Sequence, residues 1–236
     1  MSIVWIDAGH GGKDPGAAAN AVKEKDVVLQ ISLAIKQRLE SQYTGVQVLL
    51  SRSSDVYLTL AERTTKANAA KADILLSIHC NAGGGAGGFE SYRYTASSPA
   101  SQSLQNSLHS AIMTALKPYG VNDRGQKTKN LHMLRESKMP AVLTENLFID
   151  VLNDVNKLKQ QAVIEAIVQG HAVGIAKFLG LKTKEGTQQM DQQKAQSWKE
   201  DGREWLIANA GISTDWQATD QIDIGTLGTI LSRMQK

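Results

Sequence analysis

Apolar residues in this chain follow two rhythms. Short β-rich runs read as buried strands: "IVWI" (3–6), "VQVLLS" (46–51) and "DILLSIH", which ends on His79. Residues 24–40 instead place Val27, Val28, Ile31, Ala34, Ile35 and Leu39 at helical spacing, with Gly45 beyond as a stop signal. "TLAE" (59–62) predicts a capping box, Thr59 at N-cap and Glu62 at N3, opening a helix toward Ala70. "FESYRYT" (89–95) alternates as a half-exposed strand does, and Leu104, Leu108, Ile112 and Leu116 mark a helix that stops before Pro118. Residues 118–130 read as a polar loop. "LHMLR" (131–135) and "AVLTENLF" (141–148) read as two further strands separated by Pro140, and a helix over about 154–179 closes at Gly180. Strands alternating with helices predict an α/β domain around a central mixed sheet covered on both faces.

After Leu181 the character changes. Residues 182–196 are polar and linker-like, and residues 197–236 hold Trp198, Trp205 and Trp216, three of the chain's four tryptophans. This tail predicts a small domain of two short helices, about 197–209 and 225–234. Residues 182–236 carry 7 Lys/Arg against 8 Asp/Glu, which leaves 19 against 15 for the first 181. The division is therefore a domain at 1–181, a linker at 182–196 and a small domain at 197–236. A formal charge of +3 is too mild to argue for nucleic acid. No run of eighteen apolar residues predicts a membrane span. "MSIVWIDAGHGG" lacks the basic start of a signal peptide, which predicts synthesis for the cytoplasm or export by another route. The single cysteine, Cys80, excludes an internal disulfide framework.

Four residues interrupt these patterns. His10 follows the first strand in "DAGHGG", Glu24 opens the first helix, His79 ends its strand, and Glu145 lies within the apolar "LTENLF". In an open α/β sheet the ligand crevice lies at such strand ends. Two imidazoles and one carboxylate form a His₂Glu set of the kind that holds catalytic zinc with one position open. A second carboxylate outside that set, for which Glu145 is suited, can move the proton of a zinc-activated water. Each has an ordinary reading too: a turn histidine, a helix-start carboxylate and a core histidine. Glu145 is the hardest to dismiss, since a Glu in a buried strand needs a partner. Strand alternation turns Cys80 away from the face of His79 and assigns it to packing. His109 and His171 read as structural or surface residues, and His132 lies open between surface and site rim. Spacing alone leaves a zinc hydrolase and a set of structural residues side by side.

The blocks "IDAGHGGKDPGA", "KEKDVVLQIS", "LTLAERTTKAN", "ADILLSIHCNA" and "LRESKMPAVLTENLF", in this order over roughly residues 2–181, resemble the zinc-dependent N-acetylmuramoyl-L-alanine amidases of the Amidase_3 type. The resemblance implies a mixed, mostly parallel sheet of about six strands flanked by helices. It also implies cleavage of the amide between N-acetylmuramic acid and the L-alanine that begins the peptidoglycan stem peptide. It assigns Zn²⁺ to His10, Glu24 and His79, catalysis to Glu145, and a place beside the substrate to Asn81. One departure stands out: many members carry glycine two positions after the catalytic glutamate, where this chain has Leu147.

The tail resembles, more loosely, the modules that tether endolysins and autolysins to Gram-positive walls, which implies anionic or glycan wall polymers as its partners. Its tryptophans are equally suited to the core of a mini-domain. Domain, linker and tail without a leader point to a phage endolysin that reaches the wall through a holin pore. The rival readings are a zinc peptidase cutting within the stem peptide, a non-catalytic wall binder on the same fold, and a structural or spore-coat protein.

Overall fold

The computed structural model describes residues 1–184 together with Glu204 and Ile207. The chain divides into two units, Met1–Lys182 and Thr183–Lys236. The expected linker and C-terminal domain lie almost wholly outside the described residues, so the first unit alone is described.

Strand β1 (Ser2–Ala8) leads into a small hairpin, β2 (Ala18–Ala19) and β3 (Val22–Lys23), and then into α1 (Glu24–Gln42). β4 (Val46–Leu50), α2 (Leu60–Ala69), β5 (Ile74–Asn81) and β6 (Phe89–Arg93) follow. Next come α3 (Pro99–Leu116), β7 (Asp123–Thr128), α4 (His132–Arg135), β8 (Ala141–Phe148), α5 (Leu152–Leu158) and α6 (Gln161–Leu179). Six strands form one sheet in the order β4-β1-β5-β8-β6-β7. Four of the five pairings are parallel and only β6–β8 is antiparallel, so the sheet is mixed and mostly parallel as expected.

Burial explains the two rhythms of the sequence. One sheet face packs on α1, α3 and α6 through the larger core, including Ile31, Ile35, Leu39, Leu108, Ile112, Ile167 and Ile175. The other face is covered by Trp5, Ala67, Leu75, Met133, Leu134 and Leu143, a smaller core under α2 and α4. α6 is long and apolar enough to cross a membrane by composition, yet it lies against α1 and α3 with 56% of its apolar stretch buried. Gly170 and Gly174 let it approach α3 closely: a methyl group at either would stand 2.5 Å and 2.8 Å from the Cα atoms of Ile112 and Leu108.

Three expectations are corrected. "LHMLR" is instead a helical turn, with Met133 and Leu134 both buried in the smaller core. The polar loop 118–130 contains β7, an edge strand whose "DRGQKT" carries no β-rich signal and is held by its pairing to β6. The helix over 154–179 is two helices broken around residue 160, where Gln160 is extended. The break leaves α5 beneath β8, with Asp154 accepting from the N–H groups of Gly88 and Phe148. The Thr59–Glu62 capping box forms as expected.

Candidate metal centre and the cavity around it

His10 lies beyond the carboxyl end of β1 with its backbone in the left-handed region, φ +58°. A histidine tolerates this conformation better than most residues, but it needs support. Two buried arginines supply it. Arg63 donates to the carbonyls of Ala8 and His10, both at 2.6 Å, and to Asp7 Oδ1 at 2.8 Å. Arg52 donates to the carbonyls of Ala8 and Gly9 at 3.0 and 2.8 Å. The loop is therefore fixed by charge-assisted hydrogen bonds rather than by apolar packing.

Glu24 is the first residue of α1 and only 3% exposed. Its carboxylate bridges the two imidazoles: Oε2 is 3.1 Å from His10 Nε2 and Oε1 is 2.8 Å from His79 Nδ1. The same carboxylate accepts from the N–H groups of Ala17 and Cys80. Glu24 is thus a first-turn carboxylate of α1 that also makes tertiary contacts to both imidazoles. The side-chain atoms that His10, Glu24 and His79 could offer to a metal all lie within 4.8 Å of one another. Zinc bonds of about 2.0–2.1 Å in a tetrahedron separate donor atoms by about 3.4 Å, so small side-chain adjustments suffice. The surroundings fit a cation as well. Asp14 Oδ2 holds His10 Nδ1 at 2.9 Å, the outer carboxylate partner that orients a ligating imidazole.

Protonation tells the same story. Burial pulls the His10 pKa down, but the hydrogen bonds and charges of Glu24 and Asp14 outweigh it and carry it up to about 9. For His79 burial is again opposed, by the Glu24 hydrogen bond and the charges of Glu145 and Glu24, with a net rise. Burial pushes Glu24 upward, yet its two histidine partners hold it well below the usual carboxylate range. A carboxylate that has drawn positive charge onto two neighbours can exchange those protons for a divalent cation.

Glu145 stands opposite His79 in the register of β5 and β8, and opposite Glu90 across β6. Its Oε2 is buried and, among the described residues, has no hydrogen-bond partner. Burial, followed by the charges of Glu24 and Glu90, raises its pKa to about 7 against the opposing pull of His79. Directly after it the strand bulges: pairing steps from His79–Glu145 to Asn81–Phe148, so Asn146 and Leu147 share the space opposite Cys80. Leu147 takes φ +67° and buries its side chain completely in the larger core. A left-handed backbone at this bulge explains why glycine suits the position in the resembling family, and Leu147 retains the shape at some strain.

These groups line one open cavity of about 370 Å³, with Asn81, Tyr92, Lys129, Leu131 and Leu143 among its other walls. All five residues singled out from the sequence thus come together: His10, Glu24, His79, Glu145 and Asn81. Cys80 packs in the larger core, as alternation predicts, and burial raises its thiol pKa. His109 and His171 are structural. His109 joins Ser91 Oγ to Asp123 Oδ1, both at 2.9 Å, and His171 sits fully buried against Thr144. The Ser91–His109–Asp123 array resembles a nucleophile triad, but Ser91 is fully buried and already accepts from Gln105. His132 meets Thr64 at 3.3 Å and lies outside the cavity walls.

Sequence reasoning missed Glu90 and its ring of partners. Glu90 is 2% exposed; it accepts from Asn81 Nδ2 at 2.6 Å, Tyr92 Oη at 2.7 Å, Arg124 Nε at 3.0 Å, and Lys127 Nζ. Burial and the Glu90 hydrogen bond raise the Tyr92 hydroxyl well above its ordinary pKa, keeping it a neutral donor. The signal that singled out Glu145, a carboxylate in an apolar strand, was absent at Glu90, because "FESYRYT" is half polar and a carboxylate there reads as solvent-facing.

The protein family described as Amidase_3, N-acetylmuramoyl-L-alanine amidase, matches residues 4–177. The chain is 52% identical over 186 residues to the endolysin of Bacillus phage SPP1, covering 78% of this chain and 68% of that one. It is 49% identical over 182 residues to the sporulation-specific N-acetylmuramoyl-L-alanine amidase of Bacillus subtilis, covering 77% and 70%. Among solved structures, the catalytic domain of the amidase CwlV from Bacillus (Paenibacillus) polymyxa var. colistinus superposes with a TM-score of 0.72 at 34% identity. That match covers 77% of this chain and all of the other.

Proposed function

The chain belongs to the N-acetylmuramoyl-L-alanine amidases, which act on peptidoglycan, and we propose that it does so with zinc held by His10, Glu24 and His79 and with Glu145 as the proton carrier. The observation that carries this reading is the buried, unpartnered Glu145 Oε2 beside His79 at the cavity wall. When bound, zinc supplies a Lewis acid that polarises the amide carbonyl and lowers the pKa of water at the site. Everything else falls to the chain. Asp14 orients His10, and Glu24 is held by two backbone N–H groups. Glu145 Oε2 accepts a proton from the attacking water and returns it to the amide nitrogen, which leaves as the amino group of L-alanine. A pKa raised toward neutrality serves both transfers, because the same carboxyl group must be a base and then an acid. Asn81, tied to Glu90, presents a polar wall to the substrate.

Similarity to a phage endolysin supports a lytic role at the cell wall. The reading of residues 197–236 as a wall-binding domain rests on the sequence alone. The test is end-group analysis of Gram-positive peptidoglycan digested by the protein and by Glu145→Gln. New L-alanine amino termini are expected from the native protein, with the rate in the variant reduced by about 10²–10⁴ and its zinc content intact. Termini from another stem residue would establish the peptidase reading instead. A variant as active as the native protein would remove Glu145 from the mechanism.

A further inference from the structure

Arg52 is a buried cation whose hydrogen bonds, among the described residues, all go to backbone carbonyls. It is 3% exposed and donates from Nε to Ala8 at 3.0 Å, from Nη1 to Ser54 at 3.2 Å, and from Nη2 to both Gly9 and Lys25 at 2.8 Å. Burial, and then the neighbouring Arg63, hold its pKa below the ordinary guanidinium range. The two carboxylates that act on it most, Asp55 and Asp7, are paired with Lys25 and Arg63 instead. A cation held out of water on carbonyl dipoles alone costs stability, so its value lies in what it joins.

It joins the main chains of two of the proposed metal ligands. Gly9 directly precedes His10 and Lys25 directly follows Glu24, so one nitrogen, Nη2, holds a carbonyl beside each. The other hydrogen bonds from α1 to the backbone of this loop fall beyond His10. Glu24 and Lys25 donate their N–H groups to the carbonyls of Ala17 and Pro15, the Glu24 carboxylate accepts from Ala17, and Lys25 Nζ donates to Gly12 at 3.1 Å. Those bonds let the first turn of α1 move together with the far half of the loop. Arg52 fixes that turn to the near half, where Gly9 continues β1 and donates its N–H to Ile78 of β5, the strand that carries His79. Resting on the zinc reading above, we propose that Arg52 is a positioning residue for the metal: it sets the separation of His10 and Glu24, 3.1 Å between Nε2 and Oε2, before any cation arrives. The planar fork of a guanidinium is what this requires. Lysine carries its charge on one nitrogen, one bond short of Nη2, and cannot hold both carbonyls. Glutamine ends where Nε stands, so it can hold Ala8 and must release Gly9 and Lys25.

The experiment compares the full chain with Arg52→Gln, Arg52→Lys and, as a control, Arg38→Met. Arg38 links α1 to α6 through Glu165 and Gln169, about 21 Å along the helix from Glu24, so the control loosens α1 without touching the loop. Zinc affinity is measured against a chromogenic chelator, the visible spectrum of the cobalt(II)-loaded protein reports ligand geometry, and melts of the metal-free proteins report stability. Both Arg52 variants are expected to lose about 10–100-fold in zinc affinity, the effect of removing a group that orients a ligand, and to show an altered cobalt spectrum. Arg38→Met is expected to melt lower yet bind zinc as the native protein does. Native affinity and spectrum in either Arg52 variant would overturn the proposal. So would a loss in Arg38→Met that matches theirs, since stability alone would then set the affinity. One folded Arg52 variant suffices for the comparison, and two unfolded ones would make Arg52 a structural residue, against the proposal. A native protein without affinity for zinc would sink the metal reading, and this proposal with it.

Discussion

Replacing Gly9 with alanine tests the proposed metal site separately from the rest of the fold. A methyl group built on Gly9 would stand 2.3 Å from His79 Cε1, 2.6 Å from Nε2 and 2.8 Å from Nδ1, where ordinary contact begins at 3.4 Å. The imidazole must therefore retreat by about 1.1 Å, the difference between 3.4 and 2.3 Å. Zinc–nitrogen bonds are about 2.0–2.1 Å and tolerate only about 0.2 Å, so the displacement is several times what a ligand can absorb. His79 cannot simply tip aside, since Glu24 holds Nδ1 at 2.8 Å and the His10 ring stands edge-on with centroids 4.9 Å apart. Disturbing a group that merely orients a ligand costs about 10–100-fold in metal affinity, or roughly 1.4–2.7 kcal/mol, and displacing the ligand itself should cost at least that. The backbone of Gly9 is outside the left-handed region, so the fold itself has no reason to fail. The assay is zinc titration against a competing chromogenic chelator, with a thermal melt of the same sample. Native-like zinc affinity in Gly9→Ala would refute the argument that His79 is a ligand in this position.

Two further predictions concern stability. Leu147→Gly should relieve about 1–2 kcal/mol of left-handed strain but lose about 2–5 kcal/mol of buried side chain, a net destabilisation of up to about 4 kcal/mol. Urea unfolding measures this, and a variant more stable than the native protein would show that the strain outweighs the packing. His171 is fully buried against Thr144 and the Ile167 carbonyl, and burial lowers its pKa to about 4 from the ordinary 6.5. Between these values the unfolded chain binds the extra proton, so His171 contributes fully above about pH 6.5. About 3 kcal/mol of stability is lost as the pH falls toward 4. In His171→Gln, melting temperatures measured from pH 7 down to 4.5 should fall less steeply than in the native protein, and parallel curves would contradict the assignment.

The sequence by itself drew attention to the candidate site residues through breaks in local pattern, and the family resemblance then gave them roles. His79 closes an apolar run although its strand continues to Asn81, Glu145 sits inside an apolar strand, His10 is flanked by glycines, and Glu24 starts a helix whose apolar periodicity is plain. The same local rules placed most of the strands and helices and turned Cys80 into the core. The edge strand β7, the helical turn α4 and the break before α6 were not legible, because each is decided by a partner far along the chain: β6, the small core, and the β8 bulge with Gly88. Nor could any local signal show that Arg63 and Arg52 hold the His10 loop, or that Glu90 gathers Asn81, Tyr92, Arg124 and Lys127 into one wall. Periodicity records only which face of an element is buried. Which charges meet across that burial depends on strand order, and strand order is set when the whole sheet closes over its two cores.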